Sequence, residues 1–139
     1  MTDAIVLLIQ LPMWMLSSIA SPFSMGVFTL IPAVGGVCLA IGLTLAVRRR
    51  LGALWTFVTP PLVSHAFVVA TGLYEPALEP AAAENVLGVF LLLQLGICLY
   101  LVHRHRTSWV PAALLAAFSL SYAFCAVPIA SMTLTDTWF

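Results

Sequence analysis

Three histidines carry the side chains best suited to chemistry in this sequence, because imidazole can both ligate a metal and exchange a proton near neutral pH. His103 and His105 alternate with Arg104 and Arg106 in the stretch "YLVHRHRTSW". Such a mixture could hold a metal ion, clamp a phosphate, or mark one side of a membrane. On a continuing helix, however, residues two apart point about 200° away from each other, so the two rings cannot share an ion. A zinc site also needs three or four ligands, and no Cys, Asp or Glu is expected on that face. The expected role is an anchor, a positive turn that fixes orientation and meets anionic headgroups.

His65, in "TFVTPPLVSHAFVVATG", is different, because it falls well inside an apolar run. Ionisable groups at membrane depth are costly and are functional candidates by default. At about 1.5 Å per residue it lies about 22 Å along a helix from Arg50, past the midplane. A lone histidine there could contact a haem, a pigment or a quinone; the plainer reading is a hydrogen-bonded packing residue. Haem held by two histidines would need a second one at similar depth, and the sequence has none. Ser64 beside His65 is no catalytic dyad, since adjacent helical side chains diverge by about 100°.

Pro60 and Pro61 precede this pair and lack the N–H groups that would bond the carbonyls of Thr56 and Phe57, so a kink is expected. Thr56, Pro60 and Ser64 recur on one face, which His65 adjoins. The plain reading is a bent helix with an inward polar stripe; the functional one is a broken helix lining a path, as in transporters. Gln94 in "FLLLQLGIC" is expected to make an interhelical hydrogen bond; the alternative is a substrate contact on a path with Thr56, Ser64 and His65. Paired carboxylates near a span end, HExxH and a phosphate-cradling glycine loop are all missing, so no catalysis is expected.

The elements that must position these residues follow from composition. The 139-residue chain is 63% hydrophobic and 7% charged, with a mean hydropathy of +1.12. A soluble domain carries about 25% charged residues, and so few charges could not cover a water-facing surface without large apolar patches. Lipid must solvate most of the exterior. With five basic and five acidic residues, the balance implies no nucleic-acid partner. Cys38, Cys98 and Cys125 are isolated within apolar runs and form no disulfide or zinc pattern.

Crossing a bilayer takes about 20 apolar residues. Four spans are expected, at 26–47, 51–73, 85–102 and 109–132, forming an all-α transmembrane bundle in one domain, 1–139. The segment 4–20 is shorter and interrupted by Pro12. It reads as a short fifth span, an interfacial helix or a signal peptide; Ser18-Ile19-Ala20 resembles a cleavage site, but the start "MTD" lacks the positive region such signals carry. A short fifth span is the expectation taken here.

All basic residues fall in two clusters, Arg48-Arg49-Arg50 and Arg104/Arg106. Two spans separate the clusters, which returns them to one face, the cytoplasmic one by the positive-inside rule. The loop "YEPALEPAAAEN" and the C-terminal Trp138 and Phe139 then lie opposite. The expected location is a bacterial inner membrane. Two small-residue stripes suit close helix packing: Gly36, Ala40 and Thr44, and Ala113, Ala117, Ser121 and Cys125. Their use is either internal or against another chain. Together these features suggest an accessory subunit of a respiratory, photosynthetic or transport complex, with lipid and other membrane subunits as partners. The alternative is a homo-oligomeric transporter or channel lined by the Pro60-Pro61 break and His65.

Overall fold

The computed structural model describes residues 27–73 and 77–135, together with Ile9 and Met13. The expected fifth span at 4–20 lies outside the described residues save for those two, as do Glu75, Trp138 and Phe139. The described chain is helical: α1 (Val27–Arg48), a 3₁₀ segment (Gly52–Val58) running into α2 (Thr59–Gly72), α3 (Pro80–Arg104), a short 3₁₀ turn (Arg106–Ser108) and α4 (Trp109–Thr135). Four segments have the length and apolarity to cross a membrane, matching the four expected spans in number and place.

Helix α4 is the hub. It packs against α1, α2 and α3, whereas α2 and α3 touch each other only lightly and α1 and α2 stand apart. Its innermost positions are Ala112, Ala116, Ser119, Ala123, Ala126 and Ala130, all buried. These alternate steps of three and four, the spacing that keeps a seam facing partner helices. The expected stripe lies beside them: Ala113, Ala117 and Ser121 are half-buried and Cys125 is buried, with Ser121 against Gly35 of α1. On α1 the small residues that meet α4 are neighbours of the expected ones. Gly35 and Gly42 face α4, while Gly36 is half-buried and Ala40 and Thr44 are exposed. The physical reason is that a strict four-residue stripe drifts around the helix, whereas the alternating step stays on one side.

A hydrophobic cluster fills each half of the bundle. Toward the arginines it joins Ala46, Leu54, Phe57, Cys98, Leu101 and Leu115. Toward the opposite end it joins Val68, Leu87, Cys125, Ala126 and Leu134. Phe67 of α2 stacks on Phe90 of α3 with centroids 4.1 Å apart.

Two boundaries differ from expectation. Helix α3 begins at Pro80 rather than near Asn85, with Glu79 as its cap; proline is pre-organised for a first helical turn and "AAAE" propagates it. In the second span the helix changes type at the expected place. The chain runs as a 3₁₀ helix to Val58 and restarts as an α-helix, with the prolines in its first turn. The Thr56 carbonyl, expected to lose its partner, accepts both the Thr59 N–H and the Thr59 hydroxyl at 2.7 Å.

Helix α1 stops in a Schellman arrangement. The Arg50 N–H donates to the Val47 carbonyl at 3.0 Å and the Leu51 N–H to the Ala46 carbonyl at 2.9 Å, and Leu51 packs on Ala46's cluster. Arg50 holds the left-handed position, φ 53°, that glycine usually takes.

Two measurements check this packing. Gly35→Ala should destabilise the protein in detergent by about 1–3 kcal/mol, because a Cβ there would lie 2.7 Å from Ser121 Cβ. Gly42→Ala should be milder, since it meets the flexible end of Leu115 at 3.1 Å; equal effects would refute this register. Arg50→Gly should stabilise by about 1 kcal/mol by relieving left-handed strain, read as a higher unfolding midpoint. A lower midpoint would mean that the arginine side chain outweighs the strain.

Candidate functional site

Pro60 has no N–H to donate, but its carbonyl gathers the buried polar groups. The Ser64 hydroxyl donates to it at 3.0 Å and the Gln94 amide from α3 at 3.3 Å. The expected interhelical bond of Gln94 is therefore present, and the Pro60–Ser64 face turns inward, both residues being buried. Ser119 of α4 donates to the Leu115 carbonyl at 2.9 Å. By their positions on the helices these groups form a polar layer between the two apolar clusters. The Gln94 Oε1 has no partner among the described residues.

Thr56 departs from the stripe. It is half-buried, and its hydroxyl lies 3.3 Å from Nε2 of His105, whose ring also sits 6.0 Å from that of Phe57. This contact brings the 103–106 turn against the segment that follows Arg50, so both arginine clusters lie at one end of the bundle. His105 is thus a latch between the turn and the 3₁₀ segment, a role no local pattern signals. His103 ends α3 exposed, apart from that contact. Exposed Trp55, Tyr100 and Trp109 fall near the same end, as aromatic residues do at membrane interfaces. At the far end the Thr133 hydroxyl donates to that of Thr71 at 2.9 Å, and the Leu78 N–H to the Leu134 carbonyl at 2.7 Å.

His65 is half-buried, with Nδ1 3.1 Å from the Tyr122 hydroxyl of α4. This pair forms part of the wall of a cavity of about 720 Å³, within the range of small-molecule sites. The cavity exists because α1 and α2 stand apart. Leu39, Leu43 and Val47 of α1 line one side; Leu54, Val58 and Leu62 line the other; Leu115 and Phe118 of α4 form the floor. Among the described residues only Arg50, His65 and Tyr122 bring strongly polar groups to an otherwise apolar lining. The restarted helix therefore does border a space, although Ser64 and Gln94 are turned away from it.

Among the described residues no three His, Cys, Asp or Glu side chains gather where they could hold a metal ion, and the three cysteines are free thiols. Comparison with protein families, with characterised proteins and with solved structures finds no match to the chain.

Replacing Gln94 tests the polar layer. Gln94→Leu removes one hydrogen bond, worth about 1 kcal/mol, but also an unpartnered buried acceptor, whose removal offsets the loss. Unfolding in detergent should place the variant within about 1 kcal/mol of the parent. A loss above about 3 kcal/mol would show that Oε1 is satisfied and that the layer depends on it.

Proposed function

We propose that this chain is an integral membrane protein of the bacterial inner membrane, serving as a non-catalytic accessory subunit of a larger membrane complex. Four helices of spanning length and apolar character support the membrane setting. The positive-inside rule supports a cytoplasmic position for the end bearing Arg48, Arg49, Arg50, Arg104 and Arg106. The observation that carries the subunit reading is how the intramembrane polar groups are used. Ser64, Thr71, Ser119 and Ser121 all donate to carbonyls of their own helices, and Gln94 donates to Pro60. Hydroxyls satisfied within their own helices, with Gln94 bonding across to α2, leave little to move a substrate or proton.

A partner surface is supported by the stripe that internal packing does not use. Exposed Ala40 and Thr44, with half-buried Gly36, lie on α1 beside its buried face, and small residues let another helix approach closely in lipid. The Thr44 hydroxyl is satisfied by the Ala40 carbonyl at 2.7 Å, so the stripe can meet an apolar surface without stranding a donor.

The cavity beside the restarted helix favours a second reading, a homo-oligomeric transporter whose path His65 lines. Four helices enclose little volume, so that reading requires several copies around one path.

Purification in mild detergent separates the two. The subunit reading expects co-purification with other membrane chains at fixed stoichiometry, lost in Ala40→Ile, whose own helicity by circular dichroism is unchanged. His65→Ala should then weaken assembly. A pure homo-oligomer that assembles normally but loses flux in His65→Ala would replace this reading with the transporter. A visible absorption band in the same sample would instead assign His65 to a haem or pigment.

A further inference from the structure

We infer that the cavity between α1 and the 3₁₀–α2 rod holds the acyl chain of an anionic phospholipid from the leaflet on the arginine side, with its headgroup at Arg50. This assignment holds whether or not the chain belongs to a larger assembly.

Three observations converge on this occupant. The first is length. From Leu39 to Val47 the α1 wall rises about 12 Å, and from Leu115 to Tyr122 the α4 floor covers about 10 Å, with the Arg50 turn continuing beyond α1. Half of a bilayer's roughly 30 Å hydrocarbon core is about 15 Å, so the α1 wall and the α4 floor run for most of one leaflet, and the rod carries the lining on to His65. The second is lining. Leucine, valine and phenylalanine side chains cover the length of the walls, which suits methylene groups along the whole chain rather than a polar ring at one point. At the deep end His65 and Tyr122 hydrogen-bond each other, so the chain's terminus meets a pair already partnered.

The third is charge. Arg50 lines the cavity at its arginine-side end, and among the described residues its guanidinium has no ion-pair partner. The described carboxylates Glu79 and Glu84 belong to the N-terminus of α3, at the other end of the bundle. Arg50 also occupies a left-handed backbone position, where arginine is disfavoured and glycine is at ease. That conformation turns the chain from α1 into the 3₁₀ segment at the cavity's rim, where a phosphodiester would lie. A guanidinium recognises phosphate through paired N–H donors.

The test uses the whole protein, washed in mild detergent after equilibration with vesicles of mixed phosphatidylglycerol and phosphatidylcholine. Retained lipid is then counted by mass spectrometry. One phospholipid should remain per chain, with the anionic class enriched about fivefold over the vesicle mixture, the factor that one basic residue supplies near such a headgroup. Arg50→Gln should keep the lipid but bring its composition back to that of the vesicles. Leu43→Trp, which fills the cavity from a partly exposed wall position, should abolish retention. Leu93→Trp, on an exposed position of α3 away from the cavity, should leave it unchanged. Circular dichroism of each variant verifies the fold. Retention of no phospholipid, of lipid in the bulk ratio by the parent protein, or of a different hydrophobe such as a quinone overturns the inference. So does equal loss in Leu43→Trp and Leu93→Trp.

Discussion

The bundle depends on how closely three helices can approach a fourth. In lipid, burying a leucine gains little, because the surroundings are as apolar as the interior; contact must come from dispersion between well-fitted surfaces and from satisfied polar groups. Helix α4 meets that requirement with alanine and serine at six buried positions between Ala112 and Ala130. Helices α1, α2 and α3 all pack on α4, with α1 passing it on the side of Leu115, Phe118 and Ser121. The closest approach is where Gly35 of α1 passes Ser121. A hub of this kind lets α1 and α2 each pack on α4 without packing on one another, and the gap between them follows from it.

Pro60 and Pro61 shape the same gap from the other side. Two missing N–H groups prevent an α-helix from running unbroken from Gly52 to Gly72. The chain responds with a 3₁₀ segment, whose rise of about 2.0 Å per residue exceeds that of an α-helix. The restart also leaves the Pro60 carbonyl within reach of both Ser64 and Gln94, so one break creates both the polar layer in the core and the wall of the cavity outside it. Polar groups at that depth hold register, because sliding α3 by one turn would remove the Gln94 amide from its acceptor.

What could be read from the residues in order was what depends on near neighbours. Apolar runs revealed the four spans, clustered arginines predicted a shared end, and adjacent prolines predicted the break. The small-residue faces were legible only to within one position. Gly35 and Gly36, Ala112 and Ala113, and Ala116 and Ala117 are adjacent small pairs, so two stripes overlap on each helix and only the neighbouring helix selects between them. Which distant residues would meet left no trace. Nothing around His65 points to Tyr122, and nothing around His105 points to Thr56, because each partner is supplied by packing. The cavity was illegible for the same reason, being a space between helices that do not touch.

Arg50 joins these levels. As part of "RRR" it helps set the orientation of the chain, a role that any of the three arginines could fill by charge alone. Its backbone role is distinct, since the residue at that place must adopt the left-handed conformation that ends α1 and lets Leu51 return to Ala46. Orientation needs only a positive charge nearby, and chain reversal needs only glycine. Neither requirement calls for arginine at this position, whereas a guanidinium at the rim of an apolar, leaflet-deep space answers to both the charge and the place. The strained backbone is therefore best understood together with the cavity it borders, not as an accident of helix termination.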